Sequence, residues 1–94
     1  MSAPGRLERD YRAAFLRYLP RHEEAALHKG YELGRAAVAD GVSLLELARV
    51  HHEVLRGVLT DTSPDQLDGV ATAAGEFFLE VLATYDMASR GMRG

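Results

Sequence analysis

Ninety-four residues, 47% of them hydrophobic and 27% charged, suffice for one domain with a modest core and match an ordinary globular composition. The net charge of −3 leaves no basic footprint for nucleic acid, and the absence of cysteine excludes disulfides and thiolate metal sites. The opening MSAPGRLERD lacks the apolar core of a signal peptide and no apolar run reaches the ~20 residues that span a bilayer, so the chain reads as cytoplasmic.

The first helix is expected from about Pro4–Leu7 to Leu19, where Pro20 blocks continuation. Leu7, Tyr11, Ala14, Phe15, Tyr18 and Leu19 recur on one side of it, with Leu16 off that side. Arginines and acids alternate on the other side, as on a solvated face. The second helix is expected from about Arg21 to Ala39, ending at Gly41. Its inner side carries Ala26, Leu27, Gly30, Tyr31, Leu33, Gly34, Ala37 and Val38; Glu24, His28 and Arg35 border that side. Gly30 and Gly34 each cost about 1 kcal/mol of helix propensity, which points to close approach of another helix.

Ser43 and Glu46 have the spacing of a capping box and open a third helix that runs to about Leu59. Its apolar side includes Leu44, Leu45, Leu47, Val50, Val54, Leu55 and Val58. A second capping signal, Ser63-Pro64-Asp65-Gln66, opens the fourth helix. Leu67, Val70, Ala71, Ala74, Phe77, Phe78, Val81, Leu82, Tyr85 and Ala88 then fill an arc about 160° wide. One neighbouring helix cannot cover that arc. At about 26 residues, roughly 39 Å, this helix outgrows a compact bundle, so one end projects or is covered by a second chain. No window alternates at period two between turn signals, so no strand is expected. Short connections favour antiparallel neighbours.

His51-His52-Glu53 is the most conspicuous polar cluster. Adjacent helical residues point about 100° apart, so the three do not converge on a metal, and a zinc-protease helix needs histidines four apart. His51 falls on the apolar stripe of the third helix and reads as a structural histidine bonded to a carbonyl or a tyrosine. No nucleophilic constellation stands out, and there is no Gly-rich phosphate loop following a strand. On the fourth helix Thr72, Leu79, Ala83, Asp86 and Arg90 form a second stripe beside the main arc. It is either a core margin covered by a neighbour or a shallow groove for a partner.

YRAAFLRYL (11–19), ELGRAAVADGVSLLELARVHHEVL (32–55) and EFFLEVLATYDMASRG (76–91) resemble, in order and spacing, the N-terminal domain of RsbU-type phosphoserine phosphatases. The resemblance runs from about residue 7 to the end and rests on the combination of stretches. It implies an all-α four-helix antiparallel bundle with a long C-terminal helix, dimeric and similar to the C-terminal domain of the clock protein KaiA. It also implies a docking module that binds RsbT, a kinase-like switch protein, and thereby activates a downstream phosphatase in stress sigma-factor signalling. Carried over by position, the partner-binding residues are Glu24, His28, Leu79 and Ala83. His28 stands where the family has an aromatic residue, and Ala83 where it has a larger aliphatic one.

The expected protein is therefore a single non-catalytic domain over residues 1–94, without cofactor or metal, that forms a homodimer and docks a regulatory protein. Phe77, Phe78, Val81, Leu82 and Tyr85 are assigned to the dimer interface or the core, and His51, Gly30 and Gly34 to structure. Family members continue through a helical linker into a sensor or catalytic domain. The alternative is a stand-alone small-molecule or metal sensor with His51 and the tyrosines lining a pocket. A carboxylate–histidine metal enzyme would need Glu-x-x-His pairs, which the chain lacks.

Overall fold

The computed structural model describes the backbone of residues 3–93 and the side chains of residues 5–91. Four helices follow one another: α1 (Ala3–Tyr18), α2 (Glu24–Ala39), α3 (Leu44–Thr60) and α4 (Leu67–Arg93). A single 3₁₀ turn, Pro64–Gln66, leads into α4. No strand is present among the described residues.

The helix ends follow local chemistry. Pro20 has no N–H to give, and the end of α1 is closed instead by His22 N–H donating to the Tyr18 carbonyl at 2.8 Å. His22 does so at φ 53°, in the left-handed region that favours glycine. This turn occupies the residues from Arg21 to Glu23, so α2 starts at Glu24, three residues later than the composition suggested. At its far end Val42 N–H donates to Ala37 and Gly41 N–H to Val38, with Gly41 at φ 74°. These bonds satisfy two otherwise orphaned carbonyls in a Schellman arrangement.

Ser43 Oγ accepts the Glu46 N–H at 3.1 Å, but the Glu46 carboxylate does not return the bond. It is held by Arg49 at 2.7 and 3.2 Å. Only half of the expected capping box forms, because a neighbouring guanidinium competes for the carboxylate. Ser63 departs further. Its hydroxyl donates to Asp65 and to the Gln66 side chain, and it caps nothing. The entry is a 3₁₀ turn, in which the Gln66 N–H donates to the Ser63 carbonyl at 2.9 Å and not to its side chain.

Phe77 of α4 is the centre of the core and has no exposed surface. Tyr11, Phe15 and Tyr18 of α1 surround it at ring-centroid distances of 5.3, 5.8 and 5.8 Å. Leu47, Val50 and Val54 of α3 and Val81 of α4 are fully buried with it, and Leu33 and Ala37 bring α2 into the core.

α2 is pressed against α4. A methyl group on Gly34 would lie 2.6 Å from the Val81 carbonyl oxygen, 2.9 Å from Thr84 Cβ and 3.0 Å from the Tyr85 nitrogen. A methyl group on Gly30 would meet Phe77 and Val81 side-chain atoms at 3.3 Å. Higher numbers on α2 thus face higher numbers on α4: these two helices run alongside each other in the same direction. The expectation of antiparallel neighbours does not describe this pair, whose closeness depends on two residues without a side chain.

Three tyrosines bolt the elements together. Tyr11 meets His51 of α3 at 2.9 Å, Tyr18 donates to Glu76 of α4 at 2.8 Å, and Tyr85 donates to the Val42 carbonyl at 2.7 Å. Burial pushes the Tyr18 hydroxyl up to about 12, with its bond to Glu76 adding to the shift. It therefore remains a donor across the working pH range.

Candidate docking face on α4 and α2

The buried side of α4 is formed by Val70, Ala73, Ala74, Phe77, Val81 and Thr84. Its centre is rotated by about 60° from the centre of the apolar arc read from the sequence. The rotation follows from the glycine contact, which draws α4 onto α2. Thr84 enters the core because its hydroxyl bonds back to the Glu80 carbonyl at 2.8 Å. The other edge of the arc is left open. Leu67 is 44% exposed, Ala71 is exposed, and Phe78, Leu82 and Tyr85 are half-buried. Of the five residues assigned to interface or core, Phe77 and Val81 are fully buried within one chain.

Leu79 lies beyond that open edge and is 67% exposed. No neighbouring helix of the same chain covers it, so it is not a core margin. Ala83 is exposed on the same side. Asp86 and Arg90 pair with each other one turn further on, at 2.9 Å. Glu24 and His28 are exposed on α2. The His28 ring stacks on Tyr31 at 5.1 Å, with its Nε2 3.6 Å from Glu32. Arg35 places its guanidinium over the same Tyr31 ring and donates to its hydroxyl at 3.3 Å. His28, Tyr31 and Arg35 so form a stacked row along the outside of α2.

A shallow groove runs between this row and α4, lined by Tyr31, Arg35, Val38, Thr84, Met87 and Gly91. Met87 is 65% exposed at its edge. The second stripe omitted Met87, although it follows Ala83 by four residues and so shares its edge. Leu44 and Leu45, read as apolar positions of α3, are 51% and 83% exposed. Adjacent leucines at a helix start point about 100° apart and cannot both face the core.

The histidines do not assemble. His51 is half-buried against Tyr11 and Phe78, while its neighbour His52 is exposed. His22 stacks on Tyr18 at 5.0 Å and reaches Glu76 at 3.2 Å, at the opposite end of α1 from the groove. Among the described residues no group of three or more histidine, aspartate or glutamate side chains could hold a metal ion. Nor is any described helix long and apolar enough to cross a membrane.

The described chain is all-helical, with one edge of its longest helix left open and a stacked polar–aromatic row along the outside of α2. A family model described as the N-terminal domain of phosphoserine phosphatase RsbU matches residues 9–88. The chain belongs to this family. The match takes in α2, α3 and the face of α4 through Ala88. The RsbU N-terminal domain is the regulatory part of such phosphatases and not the catalytic part. No curated protein and no solved structure matches the chain.

Proposed function

We propose that this RsbU N-terminal domain is a non-catalytic, cytoplasmic dimerisation and docking module that takes an RsbT-like switch kinase, or another regulatory protein, on the joint face of α2 and α4. Binding there biases the arrangement of two copies and so the activity of the phosphatase or sensor module linked to them, in stress sigma-factor signalling. The observation that carries this reading is Leu79, a large apolar side chain 67% exposed within the family match. An exposed leucine on the solvent side of α4 suits an apolar anchor from a protein partner. Glu24 and His28 supply the polar side of the face, and the small Ala83 leaves room above it. By the resemblance, Ala83 stands where the family has a larger aliphatic residue and His28 where it has an aromatic one, so the partner's contact surface is expected to be bulkier opposite Ala83.

Titration of the purified domain with an RsbT-like kinase in a calorimeter tests this. Leu79→Glu is expected to weaken binding by at least tenfold while leaving the circular dichroism spectrum unchanged. Full-strength binding by the variant, or no binding by the wild type, would remove the docking assignment.

A further inference from the structure

His51 is the one histidine packed between three helices. Its ring lies flat on Phe78 of α4, with centroids 3.9 Å apart and planes within 4°. Its Nδ1 is 2.9 Å from the Tyr11 hydroxyl of α1. Tyr11 is 1% exposed, and His51 is the only side-chain partner its hydroxyl has among the described residues. In the neutral state the Tyr11 O–H donates to Nδ1, and the ring proton sits on Nε2. No buried side-chain nitrogen among the described residues lacks a partner, so Nε2, which has none in the protein, meets solvent. Protons reach the ring there.

Protonation makes both ring nitrogens donors. Nδ1–H must then give its hydrogen to the Tyr11 oxygen, and the Tyr11 hydrogen is left in the core without an acceptor. Tyr11 does not relieve this by ionising, because burial raises its hydroxyl well above the ordinary tyrosine value. No acid compensates the new charge. The facing group from α1 is the Tyr11 hydroxyl; Glu8 on that helix is engaged by Arg12 at 3.4 Å. The facing group from α4 is the uncharged Phe78 ring, whose weak attraction for a cation does not offset burial, and on α3 the adjacent His52 adds repulsion.

We propose that Tyr11, His51 and Phe78 form a proton-operated catch: neutral His51 ties α1 to α3 and supports Phe78, and protonated His51 gives up the bond it accepts from Tyr11 and loosens the open edge of α4. Phe78 borders Leu79 and precedes Leu82 by one turn, so displacing its support alters the face offered to a second chain. The proposal bears on the docking face but stands within a single chain. Burial first, and then His52, holds the His51 ring below the ordinary histidine value. The unfolded chain therefore binds more protons than the folded one. The stability due to neutral His51 is complete above the unfolded value of about 6.5 and is lost as pH falls from there to the folded midpoint.

The test is a pH titration of the isotopically labelled, full 94-residue chain by NMR. It follows the His51 imidazole, the Tyr11 and Phe78 rings, and the Leu79 and Leu82 methyl groups. The expected result is a His51 midpoint below about 6.5, with Phe78 and Leu82 shifting at the same midpoint. Urea unfolding of the wild type should lose up to about tenfold in the folding constant per pH unit within that window. His51→Gln, whose amide oxygen still accepts from Tyr11, should lack that loss. A midpoint at the ordinary value or higher, no accompanying shift at Phe78 and Leu82, or the same pH dependence in His51→Gln would overturn the catch. If His51→Gln does not fold, the wild-type titration alone decides.

Discussion

Gly34 is the position where one added methyl group has the fewest ways out. The atoms it would strike are the Val81 carbonyl and the Tyr85 nitrogen, both backbone, together with the buried Thr84 Cβ. None can swing aside, so α2 and α4 would have to separate. Gly30 differs, because its neighbours are side-chain atoms of Phe77, Val81 and Glu80 at 3.3–3.5 Å. Gly34→Ala is therefore expected to cost about 2 kcal/mol, overpacking exceeding the propensity gained. Gly30→Ala should stay within about 0.5 kcal/mol of wild type, the helix propensity of alanine offsetting mild crowding. Urea denaturation of the two variants separates these outcomes, and equal losses would show that the close approach is not located at Gly34. A similar contrast holds for two serines that look alike in sequence. Ser43 caps α3 and Ser63 does not cap α4. Ser43→Ala should cost about 1 kcal/mol and Ser63→Ala only a few tenths, read by thermal unfolding.

The element that sets the rest is α4, and its two sides should respond differently to mutation. Phe77 sits among three aromatic rings of α1 with no exposed surface. Phe77→Ala is expected to cost about 3–5 kcal/mol, enough to unfold most of the population of a small domain. Leu79→Glu, on the open side, should change stability by no more than about 0.5 kcal/mol, because nothing in the chain packs over it. This asymmetry also marks the limit of reading from sequence. Helical periodicity located α4 and the breadth of its apolar arc, and Pro20 and Gly41 marked two helix ends. Periodicity does not say which part of a wide arc a chain covers with its own helices. That depended on Gly30 and Gly34, whose meaning as a contact was legible but whose partner helix was not. The left-handed His22 gave no sequence signal, because its N–H closes the end of α1 on the Tyr18 carbonyl while its side chain is held by Glu76 of α4, far along the chain. His51 was legible as a residue on an apolar stripe. Its bond to Tyr11 was not, since forty residues separate the two.

At the scale of the whole molecule, α4 is out of proportion to its partners. Its 27 residues span about 40 Å, against about 25 Å for the 16 or 17 residues of each other helix. The longest dimension of the molecule is 46 Å. The open edge of α4, with Phe78, Leu82 and Tyr85 half-buried, runs along this long helix, and Leu44 and Leu45 stand exposed at the start of α3. Apolar surface so placed is stabilised when a second copy covers it, and it sits beside Leu79 without including it. Two mutations should therefore separate two surfaces. Light scattering after size exclusion, over a dilution series to low micromolar concentration, is expected to give twice the 10.3 kDa mass of one chain. Leu82→Glu should give the monomer mass with helicity retained. Leu79→Glu should remain dimeric and lose only the partner. A wild type that is monomeric at every concentration would mean that α4 is satisfied within one chain and that regulation through the arrangement of two copies is wrong. A dimer insensitive to Leu82→Glu would keep the association but move it to another face.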